Sequence, residues 1–129
     1  MIILLDTSTS ECRLGIVGNE SSVVWHTWQA NRELAKGLLA YINDTLQEQS
    51  SSISDISGIG VFKGPGSFTG LRIGLTVANT LADGLAIPIV GTSSDEWAEK
   101  ALKQLQDGKN EKIILPDYGS EAHITKPRK

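Results

Sequence analysis

Two hydrophobic rhythms divide the chain: short apolar or alternating runs up to residue 29, then mostly recurrences every three or four residues. Residues 2–5 (IILL) stop at the polar turn Asp6, Thr7, Ser8, Thr9, Ser10, and residues 12–17 (CRLGIV) form a second apolar run. Both read as strands. After a turn at Asn19 and Glu20, residues 22–29 alternate, with Val23, Trp25 and Thr27 on one side and Val24, His26 and Trp28 on the other. That alternation predicts the third strand of an antiparallel meander. Leu34, Leu38, Tyr41, Ile42 and Leu46 then recur at helical steps, with Asn31 the expected cap and the serines at 50–52 the stop. Residues 56–62 (ISGIGVF) read as a buried strand, 71–85 as a helix, and 87–90 (IPIV) as a short strand, which makes a β-α-β unit. A third helix is expected behind a capping box of Ser93 and Glu96, its apolar face made of Trp97, Ala98, Ala101, Leu102 and Leu105. Residues 107–112 (DGKNEK) read as a polar linker. Residues 113–116 (IILP) read as a short edge segment, followed by a tail carrying His123, Lys126, Arg128 and Lys129.

The order β-β-β-α-β-α-β-α predicts an α/β fold with a mixed five-stranded sheet, the layout of a single ribonuclease-H-like (actin-like ATPase) lobe. The 129 residues suit one domain, and a chain of this size buries roughly two thirds of its unfolded surface, enough for a real core. The expected division is a lobe over 1–106 and a linker with tail over 107–129. With 21% charged residues and a net charge of −3, the chain lacks the basic excess of an autonomous nucleic-acid binder. The lone Cys12 excludes an internal disulfide framework and, inside a strand pattern, reads as a small buried hydrophobe, in keeping with a reducing cytoplasm. No apolar stretch approaches membrane-spanning length, and the first apolar run is too short for a signal sequence, so neither secretion nor insertion is expected.

Between the 56–62 strand and the following helix, residues 64–74 read GPGSFTGLRIG. Glycines at a strand-to-helix turn allow positive φ and close approach of another main chain, beside the unpaired amides of a helix start. The familiar phosphate loops do not fit. A Walker loop needs a lysine after its last glycine, where Leu71 stands; the dinucleotide fingerprint needs a glycine at Thr69; the nucleophile elbow needs one at Pro65. Ser67 is therefore unsupported as a nucleophile.

LLDTSTS at 4–10, GPGSFTGLRIG at 64–74 and IPIVGTSS at 87–94 together resemble the TsaB (YeaZ) proteins of bacterial tRNA modification, in order from Met1 to about Glu99. The resemblance implies an actin-like subunit without catalytic residues of its own. It would pair with TsaD, which transfers a threonylcarbamoyl group to the tRNA adenosine after the anticodon, and would be joined by the ATPase TsaE. Self-pairing through the same lobe is also implied, with the helices at 31–49 and 71–86 as interface elements. Neither cofactor nor metal is expected on this chain; ATP and a divalent metal are expected on the partner subunits, and tRNA contact mainly through the complex. Two departures stand out. Family members are mostly two-lobed, and here the third helix leads through a brief linker to a tail like the family's C-terminal end, so a second lobe is expected to be absent. Arg32, Glu33, Leu34 and Ala35 also stand where an Arg-Glu-His-Ser-like sequence is typical, so no role of that histidine transfers.

The remaining candidates keep two readings each. Asp6, Thr7 and Ser8 match the phosphate hairpin of sugar kinases and actin-like ATPases, or else satisfy their own turn. Arg72 meets an anion or acidic partner, or makes a local ion pair. Phe68 fills a partner pocket, or packs beneath the turn. Gly64, Pro65, Gly66, Ser67, Thr69, Gly70, Leu71, Gly74 and Ala78 belong to a partner interface or to a structural turn and a close-packed helix start. His26 and His123 are too far apart in sequence for a metal-ligand pair. The basic tail meets RNA or an acidic subunit, or is merely solvated. The competing function is a minimal magnesium-dependent ATPase or phosphotransferase using Asp6 and the glycine turn.

Overall fold

The structure is a computed structural model that describes residues 1–19 and 22–119; His123, Lys126, Arg128 and Lys129 lie outside the described residues. Strands β1 (Ile2–Asp6), β2 (Glu11–Val17) and β3 (Val23–Gln29) form the antiparallel meander. Helix α1 (Leu34–Glu48) leads to β4 (Gly58–Phe62), which lies parallel to β1. Helix α2 (Phe68–Leu85) then crosses to β5 (Ile89–Thr92), parallel to β4, and α3 (Trp97–Gln106) follows. The sheet order is β3-β2-β1-β4-β5, the mixed five-stranded arrangement that the element order implies.

Alternation along the strands builds two cores. Ile3, Leu5, Cys12, Leu14, Ile16, Ile59 and Val61 point to one face, where Leu34, Leu38, Ile42 and Leu46 of α1 and Leu75, Ala78 and Ala82 of α2 cover them. Leu4, Val17 and Val90 point to the other and meet Trp97, Ala101 and Leu105 of α3. The edge strand β3 serves both faces. Trp28 stacks on Tyr41 of α1 with ring centroids 5.0 Å apart, while Trp25 meets Trp97 of α3 edge to face at 5.9 Å. Such aromatic pairs add about 0.5–1.5 kcal/mol beyond the area they bury.

Three local expectations are corrected. Asn31 does not cap α1. It lies in a short 3-10 turn with φ 51°, its side-chain oxygen accepts from Gln29, and its amide, with that of Ala30, donates to the Ser10 carbonyl. The residue is spent tying the exit of β3 to the β1–β2 turn. Ser93 and Glu96 form no capping box: a positive φ at Ser94 turns the chain, and Ser94 Oγ instead accepts from the Glu96 amide at 3.4 Å. The buried Thr92 hydroxyl donates to the Trp97 carbonyl at 2.6 Å and fixes the helix start from the strand side.

Residues 113–116, expected as an edge segment, form no strand. Side chains hold this stretch instead of a ladder. Asn79 of α2 donates to the Ile114 carbonyl and accepts from the Ile114 amide, both at 2.9 Å, which seats the Ile114 side chain in the core. Just before it, the Asn110 and Glu111 side chains accept from the Ile89 and Gly91 amides, and the Glu111 amide donates to the Ile89 carbonyl. Open sheet edges template pairing with other chains, so this strap along β5 covers what would otherwise be an exposed edge. Replacing Asn79 with Ala removes both bonds to Ile114; the expected loss is about 1–3 kcal/mol in denaturant unfolding, with faster amide exchange at Ile114. Unchanged exchange there would show that the strap is held by other contacts.

Candidate functional site

The glycine turn and the β1–β2 turn fit into one another. Helix α2 starts at Phe68, earlier than the apolar pattern alone indicates, because the Ser67 hydroxyl caps it by accepting from the Gly70 amide at 3.2 Å. That capping explains Ser67 without any nucleophilic role. The Ser67 amide donates to the Ser8 carbonyl at 2.9 Å. Thr7, 3% exposed, donates its hydroxyl to the Gly70 carbonyl at 2.7 Å. Asp6 stays within its own turn, its Oδ1 accepting from the Ser8 amide at 2.9 Å and the Ser8 hydroxyl at 2.6 Å.

The glycine spacing follows from this contact. A methyl at Gly66 would strike Ser8, one at Gly70 the Thr7 carbonyl, and one at Gly74 the Thr7 hydroxyl. Residues 66, 70 and 74 are spaced so that the two helical glycines share one face, and that face receives the β1–β2 turn. Gly64 is a separate case: φ is 121°, a conformation that disfavours a side chain, and a Cβ would run into the Asp117 carbonyl. The Gly64–Pro65 peptide is cis.

The candidate residues therefore divide by position. Gly64, Gly70, Leu71, Gly74 and Ala78 are buried, whereas Pro65, Gly66, Ser67, Phe68, Thr69 and Arg72 are exposed. Phe68 is 59% exposed and stacks on Tyr118 with centroids 3.9 Å apart, so it lies over the turn, not beneath it. Among the described residues Arg72 makes no ion pair; the pair found is Lys103–Asp107, solvent-exposed on α3. From the turn, an outward groove runs between α1 and α2. A hollow of about 210 Å³ touching Ser10, Arg32, Thr69 and Ile73 continues into one of about 350 Å³ lined by Ala35, Arg72, Thr76 and Val77. Leu39 of α1 is half-exposed beyond it.

Several residues take no part in this site. His26 lies on β3 opposite Leu14, with Nε2 buried and unpartnered among the described residues. No group of three or more His, Cys, Asp or Glu among the described residues is arranged to hold a metal ion, and no described helix is long and apolar enough to cross a membrane. Cys12 is fully buried. Burial pushes its thiol from the ordinary 9.0 up to about 12, with the nearby Asp6 carboxylate adding to the rise. Tyr41 is also raised, mainly by burial.

Sequence reasoning identified the glycine run and the hairpin separately but missed their contact and the strap. The four-residue step of the glycines was the available signal for the first. The strap had none, since Asn79 and Ile114 are 35 residues apart.

Residues 28–117 match the family model described as TsaD, tRNA N6-adenosine threonylcarbamoyltransferase. The chain is 36% identical over 93 residues to the tRNA threonylcarbamoyladenosine biosynthesis protein TsaB of Escherichia coli strain K12, covering 72% of this chain and 40% of that protein. It is 33% identical over 95 residues to the TsaB of Bacillus subtilis strain 168, covering 74% and 42%. A tRNA N6-adenosine threonylcarbamoyltransferase of Geotalea daltonii is 34% identical over 95 residues, covering 74% of this chain and 28% of that enzyme. Among solved structures, YeaZ from Pseudomonas aeruginosa superposes with a TM-score of 0.67 at 30% identity, covering 81% of this chain and 49% of that one. The chain thus spans half or less of the length of these relatives.

The interlock is tested by a matched pair of substitutions. Gly74→Ala is expected to destabilise by about 1–3 kcal/mol through collision with Thr7. On the same helix Gly84 faces open space, and Gly84→Ala is expected to stabilise by about 0.4–1 kcal/mol. Equal effects in thermal unfolding would show that helix propensity alone governs both positions. A second test concerns pH. The folded Cys12 thiol ionises at higher pH than the unfolded one, so its contribution is complete below pH 9.0 and is lost as pH rises toward about 12. Wild-type stability is expected to fall more steeply above pH 9.0 than that of Cys12→Ala; equal slopes would exclude a contribution from this thiol.

Proposed function

The chain belongs to the TsaB (YeaZ) family, within the group matched by the TsaD threonylcarbamoyltransferase model, and from this membership we propose that it is a noncatalytic partner subunit in tRNA threonylcarbamoyladenosine synthesis. Its role is to bind and support a TsaD-type transferase, which carries the chemistry. The observation that supports a scaffold is the fate of the hairpin. Thr7 is turned inward onto the Gly70 carbonyl, Asp6 is engaged by Ser8, and the Ser8 carbonyl is taken by Ser67. A turn committed to its neighbour in this way acts as a joint that sets the angle of α2, and a minimal ATPase built on Asp6 and the glycine turn is not favoured.

The partner face in this reading is the groove between α1 and α2. Ala35, Ile73 and Val77 supply its apolar floor and Arg72 an exposed cation at its side. Apolar centres with a polar rim are the usual anatomy of protein interfaces. Self-pairing through the same face would compete with the transferase, and a TsaE-like ATPase would join the assembled pair. ATP and a divalent metal would reside on the partner subunits, tRNA would be met mainly through the complex, and the assembly would work in the cytoplasm.

Charge placed in the groove tests this reading. The variant Ala35→Glu with Thr76→Glu is expected to abolish co-purification with a TsaD-type transferase and the modification activity that depends on it. Unfolding should stay within about 0.5 kcal/mol of wild type, because both positions are exposed. A variant complex as stable and active as the wild-type one would remove the α1–α2 face from the proposal. Modification by the transferase that is indifferent to the presence of this chain would remove the scaffold role itself.

A further inference from the structure

The two edges of the sheet differ. At β5 the edge lies under the strap, whereas at β3, the other outer strand, no described residue bonds to the backbone groups that face away from β2. The β3 sequence VVWHTWQ holds no Asp, Glu, Lys, Arg or Pro, and its register with β2 runs from Val23 to Gln29 without a bulge. Charges, prolines and bulges are the usual protection of an exposed edge, and β3 has none of them.

Parity decides which backbone groups are free. The Ala30 amide donates to the Ser10 carbonyl, which makes 10 and 30 a hydrogen-bonded position in line with the β2–β3 register. Bonded and non-bonded positions alternate along an antiparallel ladder. Val24, His26 and Trp28 therefore turn their amides and carbonyls to β2, and Val23, Trp25, Thr27 and Gln29 turn theirs outward. The two largest side chains leave that side clear. Trp25 leans back over Gly15 toward Trp97, and Trp28 leans over Gly37 onto Tyr41.

An antiparallel copy of the same strand meets this edge over its full length in one register, with His26 opposite its own counterpart. Trp25 then faces Thr27 and Val24 faces Trp28, aromatic against β-branched in both cases, and such cross-strand pairs are favourable. The outward residues fall opposite one another, Val23 with Gln29 and Trp25 with Thr27, so each pair exchanges two backbone bonds. No charge meets a like charge in this register. Backbone, side chains and charge are thus self-complementary, as a two-fold contact between identical chains requires, and this singles out a second copy as the occupant.

We propose that the free edge of β3 is a docking site for a second copy of this chain, the two strands pairing antiparallel about a two-fold axis at His26 so that one sheet runs through both copies. This pairing is made by the β3 backbone and leaves the groove between α1 and α2 open to a different protein.

Position 26 is diagnostic. In this register the residues 26 of the two copies form a non-hydrogen-bonded pair with Cα atoms about 4.5 Å apart, a separation that a disulfide spans. His26→Cys is expected to yield a disulfide-linked dimer of the full chain under mild oxidation, and the imidazole it replaces has no partner at Nε2 among the described residues. Val24→Cys and Leu39→Cys, both more exposed, are expected to stay unlinked under the same treatment, and native Cys12 is buried. No link at 26, or equal linking at all three positions, would overturn the proposal. Amide exchange of the unaltered chain gives a second measurement. Once about nine tenths of the chains are paired, exchange at Trp25 and Thr27 is expected to slow about tenfold, because only the free fraction opens to solvent there. Fast exchange at every concentration would contradict the pairing. Slow exchange at every concentration would also contradict it, by making the occupant a segment of the same chain, and slowing only when a TsaD-type transferase is added would make the occupant that protein's strand. Ala35→Glu with Thr76→Glu is expected to leave both readouts as they are; loss of either would move self-pairing to the helices and sink the β3 assignment.

Discussion

The close fit between Thr7 and the glycine face of α2 is the contact on which the other features depend. A buried hydroxyl needs a partner, and Thr7 finds one in the Gly70 carbonyl at 2.7 Å. It reaches that carbonyl only because residues 70 and 74 have no side chains to hold the helix away. The contact links the first strand to the second long helix across 63 residues and so sets how α2 lies on the sheet. Once α2 is set, Leu75, Ala78 and Ala82 reach the core and Ile73 and Val77 turn toward α1.

Such a contact also changes how the phosphate-loop-like features are understood. A nucleotide hairpin presents its donors outward, to an anion. Here the Thr7 hydroxyl and the Ser67 amide point to each other's segments, and Asp6 closes its own turn. Similar residues in a similar place thus serve to join two elements. The chain's relatives include both a threonylcarbamoyltransferase and proteins named for threonylcarbamoyladenosine biosynthesis, a natural setting for that difference, because one fold hosts several functions through its sites.

The two faces of the sheet have different surfaces. On one, α1 and α2 leave a groove with Ala35, Ile73 and Val77 along it. On the other, α3 leaves an aromatic groove bordered by carboxylates. The strap from Asn110 to Tyr118 lies between these regions. It covers the β5 edge, seats Ile114 in the core, and brings Tyr118 onto Phe68. Without it the parallel edge strand would offer unpaired amides at Ile89 and Gly91 to any neighbouring chain.

All five strands and three helices were legible in the order of residues, because strand and helix periods are local and each apolar stripe is written within a dozen positions. The glycine motif and its distance from the known phosphate loops were legible for the same reason, and so was the burial of Cys12. Errors arose where one local signal was overridden by another contact, near or remote in sequence. Asn31 looks like a helix cap, but Ser10 and Gln29 engage it first. Ser93 and Glu96 have the spacing of a capping box, but the turn at Ser94 and the hydroxyl of Thr92 decide where α3 begins. The sequence by itself determined which segments are strands and helices and which residues were worth testing. Tertiary structure alone decided that the glycines receive Thr7, that Phe68 meets Tyr118, and that residues 110–114 lie along β5. Those contacts join positions tens of residues apart, and no local periodicity encodes which turn a bare helix face will meet.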